Sequence, residues 1–258
     1  MNAPDGGSRR RARLGRYMFW QLRDYLVQQG PATAIVQALF TYLTIAPLLR
    51  TLETTGAPPR LAALPAPVAQ QLFAGLLGSF LLLGTLFATN GIVANDRKLG
   101  YYRFLFAKPV GAPRYYAAAF TANGIGLILV GLVLLGAYAI FVSPRFPPSF
   151  VPVVAAMYVA FGGVGFLLST VWRFDWLSLV TVAVVANIGW DLWGDDRGIR
   201  GWLVHLLPPT HRTGEVYAFV AGGVETFPWL DLAWLGGYGL ACFLLGLLVL
   251  RIRPLATP

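Results

Sequence analysis

Six long apolar runs, at about 31–49, 72–94, 115–142, 150–171, 176–193 and 230–250, leave few folds open to this chain. A hydrocarbon core of ~30 Å takes about 20 apolar residues to cross as a helix. Only a segment that satisfies its own backbone hydrogen bonds can sit there, and an α-helix does. The first run is interrupted by Gln37 and several Thr, and the fifth carries Asn187 and ends near Asp191. The composition agrees with a membrane chain: of 258 residues, 57% are hydrophobic and only 12% charged, about half the charge of an ordinary soluble domain. The expected fold is therefore an all-α integral membrane protein of six spans.

The net charge of +9 would suggest nucleic acid in a soluble protein. Here it has a simpler reading, and no nucleic-acid partner is expected. Fourteen of the 20 Lys and Arg fall on one side of the six runs and six on the other. The positive-inside rule puts the richer side, with both termini, in the cytoplasm. The expected location is a bacterial-type cytoplasmic (inner) membrane. The lone cysteine, Cys242, lies within the last run and leaves the redox compartment open. The first apolar run starts too late to follow a cleaved signal pattern.

Residues 14–29 are too polar to span. Leu14, Met18, Leu22, Tyr25 and Leu26 recur at helical spacing, with Trp20, Tyr17 and Tyr25 suited to an interface. This predicts an amphipathic helix on the cytoplasmic leaflet, with a frayed basic tail as the alternative. Gly30-Pro31 is expected to break the chain before the first span. The domain division is 1–30 for tail and interfacial helix and 31–258 for the spans. The 36 residues of 194–229 are too many for a simple connection. They predict one or two short helices dipping into or resting on the outer leaflet.

Several chemistries are absent. The two Lys, Lys98 and Lys108, do not follow a Gly, so no Walker A loop can hold ATP on this chain. Gly163-Val164-Gly165 lies mid-span with no strand before it. The two His, His205 and His211, do not form a zinc-protease helix. Asp191, Asp195 and Asp196 gather near the end of the fifth span, where they read either as a solvated helix end or as ligands for a divalent cation. No catalytic, cofactor or metal residue is assigned.

The most distinctive stretch is 95–116, NDRKLGYYRFLFAKPVGAPRYY, between the second and third spans. It reads as a short interfacial helix. Tyr101, Phe104 and Leu105 offer apolar surface, Arg97, Lys98 and Arg103 offer charge, and Pro109 and Pro113 end the helix and restart the next one. The bland alternative is a basic anchor loop. Here the chain resembles the permease subunits of type-2 ATP-binding-cassette exporters. Their first cytoplasmic loop reads acid-Arg-x-x-Gly, then an apolar residue, then Pro-Val/Ile and a basic residue. The matching positions are Asp96, Arg97, Gly100, Leu105, Pro109, Val110 and Arg114. Asp96 stands where Glu is commoner, and Tyr101 where smaller polar residues are frequent.

The resemblance implies an exporter subunit with an interfacial N-terminal helix, six spans and re-entrant helices before the last. It implies a coupling loop at about 95–115, with Asp96, Arg97, Gly100, Tyr101, Arg103, Phe104, Leu105, Lys108 and Pro109 facing a separate ATPase. ATP and Mg would then sit on that partner, present in two copies beside a second permease chain, all within membrane lipid. Polar residues inside spans are costly, so Asn90, Thr121, Asn123, Asn187 and Asp191 are candidates for a translocation path. Amides that tie helices together are the alternative. Two rivals stand beside the exporter: a metal-dependent lipid-modifying enzyme using Asp191, Asp195 and Asp196, and a non-catalytic scaffold subunit. Ala156/Ala160 and Gly236/Gly239 suit a close helix seam, within one chain or between two.

Overall fold

A computed structural model describes residues 6–54, 66–89, 92–93, 96, 111–141, 147–171, 175–222 and 225–252. These residues form helices and connecting turns, with no strand among them. The long helices are α1 (Gly6–Asp24), α2 (Gly30–Thr54), α3 (Ala66–Thr89), α4 (Ala112–Phe141), α5 (Phe150–Val171) and α6 (Asp175–Trp193). Two short helices follow, α7 (Ile199–His205) and α8 (Thr213–Val220), separated by a 3-10 turn at Thr210–Arg212. The last element is α9 (Trp229–Ile252).

Among the described residues four helices, α3, α4, α5 and α9, are long and apolar enough to cross a membrane. Helix α2 is long, with 25 residues, but its face is diluted by Gln37, Thr33, Thr41 and Thr44 before Pro47 and Arg50. In α6 the apolar stretch among the described residues is Ser178–Trp193. The outer surface suits lipid: Ile35, Val133, Phe141 and Ile252 are exposed, and Ile140 is 77% exposed. A water-soluble chain would not leave so large an apolar surface uncovered.

Helices α5 and α9 form the tightest pair, built on glycine. A methyl group added at Gly163 would overlap the backbone of Gly239, and one at Gly239 would overlap that of Val159 and Ala160. Such contact lets dispersion and backbone dipoles act at short range where lipid offers no hydrophobic drive. Gly239 and Ala160 are thus used within the chain, whereas nothing lies within 4 Å of the corresponding position at Gly236. Around this crossing, Phe243 stacks on Phe120 at 4.3 Å and packs on Phe166 at 4.9 Å. Offset aromatic pairs of this kind add to the area they bury.

One expectation is corrected. Gly30-Pro31 does not break the chain. A five-residue π-turn, Tyr25–Gln29, joins α1 to α2, and Gly30 is helical at φ −57°, ψ −51°. Its N–H reaches back to the Tyr25 carbonyl, five residues away. Pro31 has no N–H to give and its ring crowds the preceding turn of an α-helix. The wider π-turn relieves that crowding, so the helical path continues from Gly6 to Thr54. Tyr25 is therefore inside the bundle, 2% exposed, with its ring over Gly126 of α4 where any side chain would collide with it.

Candidate functional site

The foot of α4 is where the distinctive loop meets the bundle. Helix α4 starts at Ala112, and the Gly111 carbonyl accepts the N–H groups of Arg114 and Tyr115 at 3.0 and 3.2 Å. This turn presents Tyr115 and Tyr116 side by side, their rings at 5.2 Å and nearly perpendicular. Tyr116, fully buried, donates its hydroxyl hydrogen to Asp96 Oδ2 at 3.1 Å. Burial pushes the Asp96 carboxyl up to about 6, against the opposing effect of the Tyr116 hydrogen bond. Of the residues assigned to the coupling loop, Arg97, Gly100, Tyr101, Arg103, Phe104, Leu105, Lys108 and Pro109 lie outside the described residues, as does Asn90.

The other path candidates separate into two environments. Asn123 is 8% exposed, and its amide donates to the Ala88 carbonyl of α3 at 2.7 Å. It ties α4 to α3. Asn187 is exposed and donates to Ala183 on its own helix at 3.1 Å. Asp191, one turn further, is also exposed, as is Thr121, whose hydroxyl bonds the Ala117 carbonyl.

A polar stripe that the sequence reading did not assemble runs along the continuous α1–α2 path. Gln21, Tyr25, Gln29, Thr33, Gln37 and Thr41 follow one another at intervals of four. In a pure α-helix this spacing drifts around the axis by about 40° per step, and the wider π-turn offsets part of the drift. Gln37 donates to the Leu76 carbonyl and to Ser79 Oγ, each at 3.0 Å, tying α2 to α3. Gln29 Oε1 is buried without a hydrogen-bond partner among the described residues, while the Tyr25 hydroxyl lies beside Thr33 and the Gln21 amide beside Tyr115 without a hydrogen bond of ordinary geometry. Groups of this kind are costly in an apolar bundle. The repeat is visible in the sequence, but it crosses Gly30-Pro31, where a chain break was expected.

At the far end of the bundle, α7, α8 and the 3-10 turn carry a second polar group. The His211 ring stacks on Trp190 at 3.5 Å and 3°. Burial, then the neighbouring positive charge of Arg212, hold His211 below the ordinary histidine range. Arg212 pairs with Asp231 at 2.7 Å and lies over the Trp234 ring. Tyr238 donates to the Leu206 carbonyl at 2.7 Å. These contacts fasten the 194–229 segment to α6 and α9. Asp196 accepts the Gly198 N–H at 2.8 Å, a local turn before α7, while Asp191 and Asp195 are exposed. Among the described residues no three His, Cys, Asp or Glu side chains converge as a metal set.

Two apolar cavities lie side by side. One, of about 520 Å³, is lined by α2, α3 and α4 together with Phe150. The other, of about 620 Å³, lies among α3, α4, the 147–152 turn, α8 and the start of α9. Phe73 and Tyr138 line both, with their rings 5.2 Å apart, and Tyr138 donates to the Ala69 carbonyl at 3.1 Å. Comparison of the chain with family models, curated proteins and solved structures gives no match.

Proposed function

We propose that this chain is the membrane subunit of an ATP-binding-cassette exporter of the type-2 permease kind. In this reading α2 and α6 are spans beside the four apolar helices, making six, and both termini face the cytoplasm of a bacterial-type inner membrane. Two copies of a separate ATPase supply the hydrolysis, and a second permease chain completes the unit. One observation carries the reading: the order Asp96-Arg97, Gly100, Pro109-Val110 and Arg114 in the segment between α3 and α4. The Tyr116–Asp96 hydrogen bond supports it, because it links the start of that segment to the foot of a long helix. A push on the start of this segment would reach α4 through this contact. The polar stripe from Gln21 to Gln37 is a better candidate for a hydrated path than Asn187 and Asp191, because it faces the bundle.

The test is co-purification from native membranes with gentle detergent. A stoichiometric soluble partner carrying Gly-x-x-x-x-Gly-Lys-Ser/Thr is expected. Asp96→Ala and Gly100→Trp should each weaken that partner's retention or uncouple transport, while membrane insertion stays normal. A complex that never contains such an ATPase sinks the reading.

A further inference from the structure

The cavity between α2, α3 and α4 has a cation at one end and apolar walls along its length. Arg50 lines it, is exposed, and has no ion-pair partner among the described residues. Leu76, Leu77, Phe80 and Leu135 line its inner wall, and all four are buried. Its other end reaches Gln37, already engaged with Leu76 and Ser79. From Gln37 to Arg50 the helix rises about 20 Å, slightly more than half of the ~30 Å hydrocarbon core. A groove with that depth, apolar walls and, at its end, a guanidinium with no ion-pair partner among the described residues matches a single-leaflet lipid.

We propose that this groove is a specific binding site for one anionic phospholipid, its headgroup phosphate on Arg50 and an acyl chain along α2 and α4. A guanidinium holds phosphate with charge-assisted hydrogen bonds, and the mostly apolar groove receives the acyl chain. The second cavity behind the Phe73–Tyr138 pair leaves room for a further chain segment when those rings part. The site depends on membrane embedding and not on an ATPase partner, so the two readings fail separately.

The experiment is native mass spectrometry of the full chain in detergent, titrated with phosphatidylglycerol or with phosphatidylcholine of the same chains. One phosphatidylglycerol per chain should be retained in preference to phosphatidylcholine by about tenfold, the scale of a charge-assisted hydrogen bond. Arg50→Gln, at an exposed position, should abolish the preference while leaving phosphatidylcholine retention unchanged. Ala46→Trp and Ala137→Trp, which fill the groove from α2 and α4, should each remove the single retained lipid while the thermal melt is preserved. Equal retention of both lipids, insensitive to Arg50→Gln, means annular lipid only and overturns the proposal. Loss in Arg50→Gln with full retention in both Trp variants overturns it too, because the cation would then act outside the groove.

Discussion

Tyr116 on the first turns of α4 and Asp96 beyond the end of α3 are joined by a 3.1 Å hydrogen bond, with the tyrosine hydroxyl donating. The carboxyl it meets is half-buried and pushed up to about 6 from an ordinary 3.8. Between those values the folded chain holds a proton that the unfolded chain has released. Stability therefore falls as pH rises from about 4 to 6 and is flat above that. Asp96→Asn should remove this slope, as read from thermal unfolding in detergent across the window. Tyr116→Phe should move the upper end of the slope to higher pH, because the lost hydrogen bond favoured the charged carboxylate.

The glycine crossing of α5 and α9 gives a second prediction. Gly163→Ala and Gly239→Ala each drive a methyl into opposing backbone and should destabilise by about 1–3 kcal/mol or more. Gly236→Ala, on the same helix but facing open space, should change stability by less than about 0.5 kcal/mol. Equal melts for all three would remove the assigned crossing.

The two asparagines separate cleanly. Asn123→Leu removes an interhelical hydrogen bond to Ala88 and should cost roughly 0.6–2 kcal/mol, the range for such bonds in membranes. Asn187→Leu removes only a bond to its own helix and should leave stability unchanged. A transport defect in Asn187→Leu without a change in melting would restore that residue to the path.

At Tyr25 the ring and the hydroxyl act in opposite directions. The ring fills the space over Gly126, whereas the hydroxyl is buried beside Thr33 without a hydrogen bond of ordinary geometry among the described residues. Tyr25→Phe should be neutral or stabilising by about 1 kcal/mol, and Tyr25→Ala should cost about 3–5 kcal/mol. Chemical denaturation of the detergent-solubilised chain measures both. Destabilisation by Tyr25→Phe would show that the hydroxyl is engaged, most simply by the neighbouring Thr33 hydroxyl.

Membrane class and helix positions were legible in the sequence because both depend on local quantities. Length and apolarity of a run fix where a helix can cross lipid, and Phe150–Val171 coincides with its expected 150–171. The contact of Tyr116 with Asp96 was not legible, because it joins residues twenty apart across a turn of the chain. In a lipid-facing helix the buried side and the outer side are both apolar, so periodicity does not say which face meets which neighbour. Only the tertiary structure decided that Tyr25 enters the bundle, that a π-turn carries the helix through Gly30-Pro31, and that Gly163 lies against Gly239. These are long-range matters of shape, settled by which small residues let two backbones approach and which polar groups find a partner.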